Sequence, residues 1–165
     1  MIKAAIVTMS DKGSRGERED TSSEEIKILL KEIPAELVNY TIIPDDAKII
    51  ENTLIDLCDN VKVDLIVTTG GTGVGARDVT PEATKAVIDR EVPGMAEAMR
   101  YESLKKTPHA MLSRAVVGMR AATLIINLPG SPKAVRENFS VVIPAVKHAV
   151  EKIKGDDKDC ASPFH

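Results

Sequence analysis

Four short apolar runs, Ile2 to Met9, Leu37 to Ile43, Leu65 to Thr69 and Thr123 to Leu128, alternate with stretches whose apolar residues recur at helical spacing. The first such stretch carries Ile26, Leu29, Leu30 and Ile33, and the second Ala47, Ile50, Leu54, Leu57 and Cys58. Strands that read as near-continuous apolar runs are buried on both faces, and strand–helix alternation buries them by parallel crossovers. The expected fold class is therefore α/β: a single-domain three-layer sandwich, mostly parallel sheet with helices on both faces. Right-handed crossovers put the carboxyl ends of the strands on one edge, where ligands bind in such folds. The 165 residues fit one core. That domain is expected over 1–154, with 155–165 a polar tail lacking periodicity. Aromatics are 2% and Trp is absent, so the core must be built from Val, Ile, Leu and Ala.

The same scarcity of rings argues against base stacking, and a net charge of −3 without a basic block argues against any nucleic-acid footprint. No apolar run approaches the ~20 residues needed to cross a bilayer. The N-terminus reads as a strand with no signal-peptide core, so a cytoplasmic protein is expected. Cys58 falls on the apolar side of a helix and Cys160 in the tail; they form no C-x-x-C and no disulfide framework. His109, His148 and His165 have no metal-ligand spacing, and no G-x-S-x-G elbow occurs.

Three loops leave the expected ligand edge: Ser10-Asp11-Lys12-Gly13, Gly70 to Asp78, and Pro129-Gly130-Ser131-Pro132-Lys133. The second leads into Thr80-Pro81-Glu82 and the third into Ser131-Pro132, each a cap residue followed by a proline at the start of a helix. Helix N-termini with glycine beside them suit an anionic, oxygen-rich ligand, and Arg77 and Lys133 could add charged donors. A tight turn and plain capping would account for the same residues. No G-x-x-x-x-G-K-[ST] and no G-x-G-x-x-G occur, which excludes a Walker or Rossmann site. Asp45 follows the second strand and Asp78 ends the glycine loop, so both belong to the ligand edge. Two carboxylates beside phosphate repel it unless a divalent cation lies between, and Mg²⁺ is held by one or two carboxylates plus phosphate oxygens. Asp45 and Asp46 fit helix capping equally well; at Asp78 that role is expected of Thr80 instead. A helix is expected from Gly94 to Tyr101. A last helix would bury Val142, Val146, Ala149, Val150 and Ile153, with Pro144 near its first turn.

The string Thr69-Gly70-Gly71-Thr72-Gly73, then Arg77-Asp78-Val79-Thr80-Pro81-Glu82, resembles the signature of the MogA/MoaB family of molybdenum cofactor biosynthesis, which includes molybdopterin adenylyltransferases and the gephyrin domain. Val7-Thr8-Met9-Ser10-Asp11, Pro44-Asp45, Leu112-Ser113-Arg114-Ala115 and Asn127 to Lys133 agree in order. The resemblance runs over about 2–153 and implies the molybdopterin-binding domain fold. The activity it implies is transfer of AMP from Mg-ATP to the terminal phosphate of molybdopterin, giving adenylyl-molybdopterin and pyrophosphate. It makes Asp45 and Asp78 the catalytic, Mg²⁺-binding pair. Ser10, Asp11, Thr69, Gly70, Gly71, Thr72, Gly73, Arg77, Thr80, Pro81, Ser113, Pro129, Gly130, Ser131 and Lys133 would hold nucleotide and pterin. It also implies a homo-oligomer, trimer before hexamer, and hand-over to a molybdate-inserting protein. The alternative within the family is a non-catalytic MoaB-type carrier or scaffold; Arg77-Asp78-Val79-Thr80-Pro81 favours the enzyme.

Overall fold

The computed structural model describes residues 1–156. Cys160, His165 and the tail beyond that point lie outside the described residues. Strands β1 (Ile2–Met9), β2 (Ala35–Ile43), β3 (Leu65–Thr69), β4 (Arg90–Glu91), β5 (Val117–Arg120) and β6 (Thr123–Leu128) form one sheet in the order β2-β1-β3-β6-β5-β4. The first four in that order run parallel, and β5 and β4 are antiparallel additions to the β6 edge. The helices are α1 (Asp11–Ser14), α2 (Thr21–Leu30), α3 (Ala47–Asp56), α4 (Thr80–Val87), α5 (Pro93–Leu104) and α6 (Pro132–Ile153). A π turn, Leu57–Val61, extends α3, and a 3₁₀ turn, Pro108–Leu112, follows α5.

The strands β1, β3 and β6 are buried almost throughout, so alternate residues feed two cores. Ala4, Ile6, Leu65, Val67, Leu124 and Ile126 pack with α2, α5 and α6 on one face. Ala5, Val7, Ile66 and Ile125 pack with α3 and α4 on the other. The three-layer α/β expectation holds. Asn127, fully buried on β6, is satisfied on every side: its amide donates to Thr68 and Thr84 hydroxyls at 3.0 Å each, and its Oδ1 accepts from the Val116 amide at 3.1 Å.

Three expectations need correction. The sheet has two more strands than four: β4 is two exposed charged residues, and β5, although half-buried, is four residues broken by Gly118 and ending in Arg120, so neither leaves an apolar run. Pro144 sits mid-way along one continuous 22-residue helix rather than near a first turn. It is tolerated because it lies on the exposed face, where water can serve the Ser140 carbonyl that lost its amide partner. Thr80 is not a cap: α4 begins at Thr80 itself, and its buried hydroxyl donates instead to the Gly70 carbonyl at 2.9 Å.

Candidate functional site

The carboxyl ends of β1, β2, β3 and β6 meet at one rim, and the loop from Gly70 to Asp78 rises between them. Gly70 (φ +96°) and Gly71 (φ +67°) turn the chain through left-handed backbone that other residues enter at a cost. A Cβ on Gly70 would overlap the Met9 carbonyl oxygen, and one on Gly71 would overlap the Thr80 hydroxyl. Glycine is required here by space as well as by φ. The loop is tied from behind: the Thr80 amide donates to the Gly71 carbonyl at 3.1 Å, and the Gly75 amide to Asp78 Oδ2 at 2.8 Å.

The ambiguity over the two acids after β2 resolves sharply. Asp46 caps α3 by accepting from the Ile49 amide at 3.0 Å. Asp45 turns the other way and exchanges hydrogen bonds with Asp11, each backbone amide donating to the other's carboxylate at 3.0 Å. Its second oxygen, Oδ1, faces Gly71. Burial pushes the Asp45 carboxyl above its usual range, and the charges of Asp11 and Asp78 add to that; the Asp11 amide and Arg77 oppose it. Asp11 is held below its usual range, chiefly by Arg77, whose fork reaches both of its oxygens at 2.9 and 3.0 Å. The Arg77 guanidinium pairs with Asp11 while its side chain stays 67% exposed.

An open cleft of about 440 Å³ lies on one side of the glycine loop and contains both Asp45 and Asp78, with Ser10, Thr69, Gly70 and Gly71 on its walls. Its charged lining residues are Glu19, Asp20, Asp45 and Asp78 against Arg18 alone. A second cleft of about 390 Å³ on the other side is more apolar, with Thr72, Gly73, His109, Ala110, Leu112 and Ser113 among its lining. Gly71, Asp78 and Gly130 border both. Carbonyls of the third loop are engaged as acceptors, Pro129 from the Thr69 hydroxyl and Gly130 from the Ser22 hydroxyl. Ser131 lines the first cleft and caps α6 through the Ala134 amide. Thr80 is buried beneath the loop, and Pro81 faces a separate cavity on the far side. Lys133 is exposed and lines neither cleft.

Two residues of the site escaped sequence reasoning. Asp20 lines the first cleft, caps α2, and accepts from the Thr8 and Tyr40 hydroxyls at 2.6 and 2.8 Å. Burial would raise its carboxyl, but these donors and the Ser23 amide hold it below its usual range. The Asp20-to-Ser23 capping spacing was the available signal. Arg114, noted in the sequence only within Leu112-Ser113-Arg114-Ala115 and given no role there, grips the back of the glycine loop through the Gly73 and Asp78 carbonyls, partners that no pattern of residue types announces.

Comparison with known proteins decides the family. Residues 5–148 match the family model described as a probable molybdopterin binding domain. The chain belongs to this family. It is 46% identical over 158 residues to a molybdopterin adenylyltransferase of Helicobacter pylori (strain J99), covering 94% of this chain and 89% of that protein. To the molybdopterin adenylyltransferase of Escherichia coli (strain K12) it is 43% identical over 152 residues, covering 90% and 77%. The crystal structure of the molybdopterin biosynthesis enzyme MoaB from Thermus thermophilus superposes with a TM-score of 0.90 at 49% identity, covering 94% of this chain and 98% of that one.

Proposed function

We propose that this chain is a molybdopterin adenylyltransferase of molybdenum cofactor biosynthesis, transferring AMP from Mg-ATP to the terminal phosphate of molybdopterin. The observation that carries the reading is the pair of clefts meeting at Gly71, Asp78 and Gly130, one acidic and one more apolar. A triphosphate fits the acidic cleft only with a cation of its own, because the lining is four carboxylates against one guanidinium. Among the described residues no group of three or more His, Cys, Asp and Glu could hold a metal. The donor set nonetheless suits Mg²⁺, which takes one or two carboxylates and completes its shell with phosphate oxygens and water. Asp45 and Asp78 each have one carboxylate oxygen on a backbone amide and would hold the ion through the rest of the carboxylate. When bound, Mg²⁺ neutralises charge on the phosphates.

The apolar cleft then takes the pterin, so that its phosphate reaches the shared border. An oxygen of that phosphate attacks the α-phosphorus; the bond from the α-phosphorus to the bridging oxygen breaks, and its electron pair leaves with pyrophosphate. The attacking group is already an anion, so no side chain need remove a proton. The protein's part is to hold two polyanions in line and to stabilise the added charge with fixed dipoles. The product passes to a molybdate-inserting protein, and the active form is a cytoplasmic homotrimer; among the described residues no helix is long and apolar enough to cross a membrane.

Pyrophosphate release tests the reading directly. ATP, Mg²⁺ and molybdopterin together should give stoichiometric pyrophosphate, and omission of any one should abolish it. Tight binding of molybdopterin without pyrophosphate release would make the chain a carrier and end the enzyme reading.

A further inference from the structure

Arg114 makes contacts that no other side chain around the glycine loop matches. Its Nε donates to the Gly73 carbonyl at 2.7 Å, and its Nη2 to the Asp78 carbonyl at 2.8 Å. Its Nη1 pairs with the Glu82 carboxylate in the first turn of α4, and its own amide donates to the Thr72 carbonyl at 2.9 Å. One planar fork therefore bridges the two ends of the segment 73–78 and the helix that follows it. Inside that ring, Gly75 and Asp78 close on each other, by the Gly75 amide to Asp78 Oδ2 and by the Asp78 amide to the Gly75 carbonyl at 3.0 Å. Arg114 lines neither cleft beside the loop and faces the separate cavity behind it.

We infer that Arg114 is a positioning residue: it sets the carboxylate of Asp78 by fixing both ends of the loop that carries it. The inference rests on the adenylyltransferase reading for its catalytic consequence, and on the loop geometry alone for its mechanical one. Lysine cannot substitute, because a single ammonium on a flexible stem cannot span Gly73, Asp78 and Glu82 at once. Displacing a group that acts on transferred charge costs turnover far more than it costs binding of the partner substrate.

The experiment compares the parent chain with Arg114→Lys by three measurements. Amide hydrogen exchange should show Gly75 and Asp78 exchanging at least about 10-fold faster in R114K, while Val67 and Ile126 keep parental rates. Electron paramagnetic resonance with Mn²⁺ and ATP should show weaker retention of the metal. Pyrophosphate release should fall by about 10²-fold with a raised Mg²⁺ requirement, while molybdopterin affinity stays within about threefold. Parental exchange at Gly75 and Asp78 would overturn the inference. So would a parallel loss of core protection and pterin affinity, which would mark Arg114 as general support of the fold. If the parent itself releases no pyrophosphate, the adenylyltransferase reading fails; the exchange and Mn²⁺ measurements still decide whether Arg114 positions Asp78.

Discussion

The two clefts beside the glycine loop are built by different means. The acidic one is walled chiefly by the ends of the parallel strands and the residues just beyond them, Thr8 to Ser10 at the end of β1, Asp45 beyond β2, Thr69 to Gly71 at the end of β3, with Arg18 to Ser22 opposite. Its shape is held by backbone: amide-to-carboxylate exchanges between Asp11 and Asp45, and left-handed glycines. The more apolar cleft shares the glycine loop, Gly71 to Gly73, as one wall and takes the rest of its lining largely from side chains between Arg100 and Ser113 and on the first turns of α6. A backbone-built site is rigid and unforgiving, and suits chemistry on charge. A side-chain-built site tolerates reshaping, and suits recognition of a ring.

Asp78→Ala should show the largest effect and the sharpest division: turnover down by about 10³-fold with pterin affinity changed by less than about threefold. Equal losses in both, by pyrophosphate release and by titration, would break the separation of roles. The next largest expectation concerns rigidity. Gly70→Ala should cost about 3 kcal/mol, roughly 9 °C in melting temperature, because left-handed backbone and the Met9 carbonyl both resist a Cβ. Gly16→Ala, also at positive φ but with no atom within 4 Å, should cost only about 1 kcal/mol. Calorimetry yielding equal losses would show that φ alone, and not the packing of the loop against β1, makes the acidic cleft rigid.

On the apolar side, Ala134→Leu places bulk in the cleft at the first turn of α6. It should weaken molybdopterin binding about 10-fold, with turnover at saturation within about threefold. A change in turnover without a change in affinity would reassign that cleft. The smallest effect is on stability. Burial and two neighbouring carboxylates raise Asp45, so above its folded pKa the ionised group destabilises the folded chain. Asp45→Asn should therefore raise the melting temperature slightly at neutral pH. That gain should shrink as pH falls through the raised value and vanish below the ordinary 3.8. A gain that grows with acidity would have the wrong sign.

Much of the acidic cleft is legible in the sequence, since Gly70 to Asp78, Asp45 and Ser10 each follow an apolar run, and the ends of parallel strands converge. The apolar cleft is mostly not: His109, Ala110 and Leu112 lie in a 3₁₀ turn with no periodicity to mark it. Arg77, a candidate donor to the ligand, has Asp11 as its partner, a pairing that sequence order does not show. Lys133, adjacent to a cap, looked equally suitable and lines neither cleft.

Apolar periodicity alone dictates the layered α/β architecture, because only a sheet covered on both faces can bury Ile6 and Val7, Ile66 and Val67, and Ile125 and Ile126 together. It also places the glycine loop at the ligand edge. Which of two adjacent acids caps a helix and which enters the cleft, and which of several cations is already paired, depends on groups distant along the chain: Asp11 for Asp45 and Arg77, and Gly73 and Asp78 carbonyls for Arg114. Hydrogen bonds of that kind are chosen by direction and distance after the strands have packed, and residue order carries no record of either.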